Sequence, residues 1–120
     1  MRKSKSSNSV LIGLIEELNK KSYTEKVAVW RDLAKRLNKP ASRRASVNVG
    51  RIARHTEKKD IVAVPGKVLG SGTLRHPLTV AAFEFSSQAK AKIMSADGEC
   101  LSLSELMDTK TKAKGIKIME

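Results

Sequence analysis

The sequence predicts a single α/β domain opened by two amphipathic helices, and three observations lead there. Apolar residues repeat at three- and four-residue intervals in two early stretches, first Leu11, Leu14, Ile15 and Leu18, then Val27, Trp30, Leu33, Ala34 and Leu37. Two short apolar runs, 61–64 and 78–85, are bounded by turn residues and have the make-up of buried strands. Serine-led helical patterns then separate the longer run from a last strand at 116–119, and a strand-to-strand connection through helices implies a right-handed parallel crossover. A chain of 120 residues fits one domain with a modest core.

Residues 1–8 (MRKSKSSN) are rich in Ser and Lys, cannot bury anything, and are expected to form a basic tail ahead of one domain over 9–120. The first helix follows, with Lys20 and Lys21 set to complement its C-terminus. Ser22-x-x-Glu25 has the form of a capping box for the second helix, whose wet side carries Arg31, Lys35, Arg36 and Lys39. Asn38-Lys39-Pro40 stops it. Residues 40–54 are ambiguous: Val47, Val49 and Ile52 fit a short strand running into a helical turn at Gly50. The strand at 61–64 is closed by Pro65-Gly66, a type II turn signature, and 67–69 forms a second short strand before Gly70-Ser71-Gly72. Arg75-His76-Pro77 breaks the chain ahead of the strand at 78–85. Ser86-Ser87 caps a helix that turns Ala89, Ile93 and Ala96 inward and ends at Gly98. Ser102-x-x-Glu105 is a second capping box, introducing Leu103, Leu106 and Met107. Gly115 precedes the last strand.

Charge narrows the function. Lys and Arg number 24 against 12 acids, a formal net charge of +12. Residues 1–76 hold 18 basic and 6 acidic side chains, whereas 77–120 hold 6 of each. All eight arginines fall in the first part, so the domain is basic to about residue 76 and neutral after it. Such self-repulsion opposes a compact free monomer and favours a polyanionic partner. Between residues 35 and 59 there are nine basic residues and one acid, Glu57, interleaved with Ser, Asn and Gly that let backbone amides approach phosphates. A run of charge is usually a solvated face, but solvated faces mix signs and this one does not. Contact with nucleic acid is therefore expected from the tail (Arg2, Lys3, Lys5) and from Arg31, Lys35, Arg36, Lys39, Arg43, Arg44, Asn48, Arg51, Arg54, Lys58 and Lys59. Lys67, Gly70, Ser71, Gly72, Arg75 and His76 are expected to add a loop through which a nucleic-acid backbone passes.

Other chemistries find no support. A phosphate-binding P-loop needs G-x-x-x-x-G-K-[ST], but Gly66-Lys67 is followed by Val68 and the position five before Gly66 is Ile61. The plain reading of Gly70 and Gly72 is a tight turn. His55, His76 and Cys100 cannot make up the four close ligands of structural zinc, and no acid–base partner for either histidine can be placed. No metal, cofactor or small-molecule substrate is expected. Trp30, Phe83 and Phe85 read as core rather than as a base-stacking platform. A lone cysteine, no membrane-length apolar run and no secretory signal point to the cytoplasm, with no membrane partner.

The run Val64-Pro65-Gly66-Lys67-Val68-Leu69-Gly70-Ser71-Gly72, with Leu74 and Leu78-Thr79-Val80-Ala81-Ala82 after it, resembles ribosomal protein eighteen-e of the large subunit. That family is the archaeal and eukaryotic relative of bacterial large-subunit protein fifteen. Val29-Trp30, Leu37, Lys39-Pro40 and Val47-Asn48-Val49-Gly50-Arg51-Ile52 upstream, and Ser86-x-x-Ala89-x-x-x-Ile93 downstream, match it in the same order, so the similarity spans roughly residues 9–119. The long Gly/Arg-rich N-terminal extension of the bacterial relative and the longer ends of eukaryotic members are lacking, which gives the chain an archaeal look. Gly98 falls a residue later than in the bacterial pattern. The resemblance implies irregular strand–strand–helix turns wound as a superhelix behind two N-terminal helices. It also implies binding to large-subunit ribosomal RNA (rRNA) and to neighbouring large-subunit ribosomal proteins, with no catalytic residues. Two alternatives compete: a free nucleic-acid-binding regulator using its basic helices, which would leave the later half without a role, and a small enzyme, for which no convergent site exists.

Overall fold

The early apolar stripes form the two helices expected, with different ends. The computed structural model describes the backbone of residues 5–108 and 115–120, and side chains from residue 9 onward except residue 41. Helix α1 runs Lys5–Glu25 and α2 runs Ala28–Leu37. Helix α1 thus begins inside the stretch expected to be a tail, where Ser and Asn suit a first turn whose N–H groups need no intrahelical partner. It also runs past the supposed capping box. Lys26 adopts a left-handed conformation (φ 57°) and Val27 N–H donates to Ser22 O at 3.2 Å, the closing bond of a Schellman motif. Ser22 Oγ donates to Val27 O at 2.6 Å, so the Ser22 hydroxyl braces the elbow between the helices and does not cap α2. Lys20 and Lys21 accordingly lie a turn before the end of α1.

Residues 40–54 resolve as a 3₁₀ turn at Ala41–Arg43, strand β1 (Ala45–Asn48) and helix α3 (Val49–Arg54), the strand-into-helix reading. Strands β2 (Ile61–Leu69), β3 (Thr79–Phe85), β4 (Glu99–Ser102) and β5 (Ile116–Ile118) join β1 in one parallel sheet. Its order is β1-β2-β3-β4, with β5 also on β2. The expected type II turn at Pro65-Gly66 is absent, because β2 runs straight through it. Strand β3 lines one edge of β2, with a register shift between Val64 and Lys67. On the other edge β5 pairs Ile61, Val62 and Ala63, and β1 pairs Gly66 through Leu69. Pro65 therefore sits where one partner has stopped and the next has not begun. A residue without an N–H breaks no ladder bond there. Strand β4 escaped the sequence reading because only Cys100 and Leu101 are apolar between Gly98 and Ser102, and pairing with β3 supplies what composition lacks.

The sheet divides the core in two. Ala63 and Ala81 face a cluster built from α1, α2 and α5 (Leu103–Asp108), including Leu18, Trp30, Leu33, Leu37 and Leu106. Val62, Val64, Val80 and Ala82 face a second cluster with Val49 and Ile52 of α3, Ala89 and Ile93 of α4 (Ser87–Ser95), and Leu74. Each fully buried large aliphatic here contributes about 1.5–3 kcal/mol relative to exposure. Trp30 is core, as expected, but Phe83 and Phe85 are only half-buried, each packed against the margin of one of the two clusters.

Two caps follow the sequence. Ser86 Oγ accepts from Ala89 N–H at 3.1 Å to start α4, whose left-handed terminal residue is Asp97 (φ 64°), not Gly98. Gly98 N–H donates to Ile93 O, and a Cβ on it would meet Leu78 O at 2.7 Å, so packing and not φ calls for glycine there. In the box at α5, Glu105 N–H donates to Ser102 Oγ at 3.0 Å while Ser102 N–H donates to Glu105 Oε1 at 2.8 Å. Ser102→Ala should lower unfolding stability by about 1 kcal/mol. An unshifted midpoint in chemical denaturation would show that packing of Leu103 and Leu106 holds α5 unaided.

Candidate nucleic-acid interface

The basic run does not form one flat face. Helix α2 packs on one side of the sheet and α3 on the other, and the chain between them passes round the edge made by β1. The cluster at 31–59 is thus a band around that edge. Within it, Arg31 and Lys35 on α2, Arg43 on the 3₁₀ turn, Arg51 and Arg54 on α3, and Lys58 and Lys59 in the following turn are exposed. Lys67 and Arg75 are exposed as well. None of these cations has an ion-pair partner among the described residues.

Other expected residues are engaged inside the fold. Arg36 Nε contacts Asp32 Oδ1 at 2.9 Å and its Nη1 pairs with Glu120, so hydrogen bonding to Asp32 first, and then the two carboxylates' charge, hold its pKa above the usual value. Lys39 Nζ lies 3.2 Å from Glu120 Oε1. Arg44 Nε donates to Leu37 O at 3.1 Å, closing the end of α2, and its guanidinium lies 5.9 Å from the Phe83 ring centroid. Asn48 Oδ1 accepts from Ser71 N–H at 3.3 Å, and Gly50 N–H donates to Ser71 O at 2.9 Å. The glycine loop is therefore docked on the corner between β1 and α3. Gly72 has φ +97° and a Cβ on it would lie 2.4 Å from Gly50 Cα, whereas one on Gly70 would meet the Gln88 side chain at 2.6 Å. Both glycines thus have reasons within the fold. Arg2 and Lys3 lie outside the described residues; Lys5 opens α1, with its side chain among those not described.

One group of free cations forms by long-range contact. Lys59 N–H donates to Pro77 O at 2.7 Å, and His76 Nε2 sits 2.9 Å from Thr56 Oγ1, which itself donates to Ile52 O. These bonds tie residues 75–77 to the turn after α3 and gather Arg51, Arg54, Lys58, Lys59 and Arg75 on one side of the sheet. Nearby, Asp60 is occupied: Lys117 Nζ at 2.8 Å, and then the Glu57 N–H, hold its carboxyl below the ordinary carboxylate range. That leaves Glu57 as the exposed acid of the turn, without an ion-pair partner among the described residues.

Sequence reasoning missed four participants. Glu120 neutralises part of α2 from 84 positions away, and Lys117 does the converse for Asp60; spacing carries no sign of either. Lys92 Nζ donates to Gly72 O at 2.6 Å, one helical turn from the inward Ala89. The fourth is Tyr23, 87 % exposed at the helical elbow. Among the described residues no group of three or more His, Cys, Asp or Glu side chains is placed to hold a metal, and no helix is long and apolar enough to cross a membrane. Burial pushes the Cys100 thiol pKa up, away from the thiolate form.

Residues 1–120 match the protein family described as ribosomal protein 60S L18 and 50S L18e. The chain is similar to large ribosomal subunit protein eL18 of Methanothermobacter thermautotrophicus, with 47 % identity over 120 residues, covering 100 % of this chain and 99 % of the relative. It is 40 % identical to the protein of the same name from Methanococcus maripaludis over 119 residues, 99 % of each. With that of Archaeoglobus fulgidus it shares 41 % over 113 residues, 94 % of this chain and 97 % of the relative.

Proposed function

From the premise that this chain belongs to the family of large-subunit ribosomal proteins 60S L18 and 50S L18e, we propose that it binds large-subunit rRNA through phosphate and shape contacts along its basic band. The family makes it a structural constituent of the large ribosomal subunit, not an enzyme, working in the cytoplasm. The observation that carries the RNA reading is the set of exposed, unpaired cations at Arg51, Arg54, Lys58, Lys59 and Arg75, with Arg43, Arg31 and Lys35 continuing it round the β1 edge.

Two rigid features make these cations suited to phosphate. Their backbone is held by the sheet, by α2 and α3 and by the bonds that tie residues 75–77 to the turn after α3, so little backbone ordering entropy is lost on binding. Arg51 and Arg54 also lie on the helix whose start, at Gly50, meets the exposed backbone of Ser71 and Gly72, where an RNA strand can approach closely. Arg36, Lys39, Arg44, Asn48, Gly70 and His76 make contacts within the fold that hold this surface in place. Neighbouring large-subunit proteins then meet the neutral part of the domain, where Lys and acids balance.

Counterion release tests the proposal. For roughly 6–10 phosphate contacts, the logarithm of the affinity for a large-subunit rRNA transcript should fall by several units per unit of log salt. A slope near zero at measurable affinity would overturn the phosphate mechanism.

A further inference from the structure

We infer that the elbow between α1 and α2 is a pocket for one unpaired ribonucleotide, its base stacked on Tyr23 and its phosphate held by Lys26 and Arg31. This rests on the reading of the chain as an rRNA-binding protein and adds to it a place where a base, not only backbone, is gripped.

The argument begins with the aromatic. Trp, Tyr and Phe together number four in this chain. Trp30 is 2 % exposed and the two phenylalanines are half-buried, while Tyr23 stands 87 % exposed near the end of a helix whose other face is well packed. A flat ring left in water on a basic protein is a stacking platform waiting for a π-face. Tyr23 is also the wall of an open cavity of about 840 Å³ that Asn19, Lys26, Val27 and Arg31 help to line. That volume lies within the range of small-ligand pockets. The Asn19 amide offers both a donor and an acceptor to a base edge.

Charge completes the case. Lys26 and Arg31 are exposed and have no ion-pair partner among the described residues. The two acids closest in sequence are already occupied. Glu25 is held by Lys21 Nζ at 2.8 Å, on the side where that ammonium lies 5.5 Å from the Trp30 ring centroid, and Asp32 is held by Arg36. Hydrogen bonding to Lys21 holds the Glu25 carboxyl below the ordinary carboxylate range, so its charge is already matched. The cavity therefore presents cations, an amide and one exposed ring, the set that takes a phosphate and a base together.

The test uses the full chain and a large-subunit rRNA transcript, with Tyr23→Ala and Tyr23→Phe as variants. Both should melt as the wild type does, because the ring is exposed. Tyr23→Ala should weaken transcript binding by about tenfold, and Tyr23→Phe, which keeps the ring, by less than about twofold. A 4-thiouridine-substituted transcript should crosslink to the peptide carrying Tyr23. Failure of the wild type itself to bind the transcript would bring down the underlying RNA reading. Normal wild-type binding with undiminished binding by Tyr23→Ala, or the lack of any crosslink at the peptide carrying Tyr23, would overturn the nucleotide pocket alone. So would a Tyr23→Ala protein that binds the transcript normally yet fails to enter assembling subunits, since that result assigns the elbow to a neighbouring protein.

Discussion

Gly66→Ala should be the most damaging single methyl group that can be added to this protein. A Cβ at Gly66 would lie 2.1 Å from Ala45 O and 2.8 Å from Ala45 C, with the Ala45 nitrogen at 2.9 Å. All three are backbone atoms, so no rotamer change relieves the clash. Relief requires β1 to move off β2, which breaks the pairing of Ala45 through Asn48 with Gly66 through Leu69 and lifts Val47 out of the core. Overpacking of a rigid site costs about 1–3 kcal/mol even where neighbours can shift. Here the loss of a strand comes on top, so about 3 kcal/mol or more is expected, lowering the melting temperature on the order of 10 °C or more. A net stability of about 5–15 kcal/mol, opposed by uncompensated positive charge, leaves little margin. Gly13→Ala is the contrast. Nothing lies within 4 Å of its Cβ position and it sits inside α1, so the same methyl should stabilise by about 0.5–1 kcal/mol. Paired melting curves check both signs, and a Gly66→Ala protein melting within two or three degrees of wild type would mean β1 is not seated there.

What could be read in advance divides along the range of the forces involved. Helix stripes such as Trp30, Leu33 and Leu37, and the capping contacts at Ser86 and Ser102, depend on residues within one or two turns, and the sequence carries them openly. The continuity of β2 does not. Val64-Pro65-Gly66 has the local chemistry of a turn, and only the handover from β5 to β1 along one edge makes a proline tolerable inside the strand. Ser22 misled for a similar reason: its spacing to Glu25 suits a capping box, but the left-handed Lys26 draws its hydroxyl and carbonyl to Val27. The candidate interface was legible as composition and not as geometry. Counting charge found the basic run, but which cations are free depends on Glu120 and Lys117, and the sheet that splits the run between two faces is a tertiary fact. Arg44 shows the consequence most clearly. It stands beside Arg43 in sequence, yet it closes α2 and covers Phe83, so its reversal would test the fold as much as the binding.

Reversing Arg51 and Arg54 together should produce the largest loss of RNA affinity available without damage to the domain. Both are exposed on α3, one on each side of the buried Ile52, and neither has an ion-pair partner among the described residues. A hydrogen bond to a charged group is worth about 1.5–3 kcal/mol, so removing two phosphate contacts costs about 3 kcal/mol before any repulsion is counted. At about 1.4 kcal/mol per tenfold, that is on the order of 100-fold weaker binding or more. The salt slope should shrink by close to two units, one per lost phosphate contact, which separates this outcome from a general loss of structure. Stability should move the other way. Each Arg→Glu change alters the charge by two, so the pair takes the net charge from +12 to +8 and relieves self-repulsion, leaving the melting temperature unchanged or slightly raised. Thermal melting, transcript affinity at several salt concentrations and incorporation into large subunits give three independent readouts. A folded double variant that binds with wild-type affinity and slope would show that RNA does not meet the α3 side of the sheet. The proposed contact would then have to be confined to α2 and the β1 edge, where Arg31, Lys35 and Arg43 remain free.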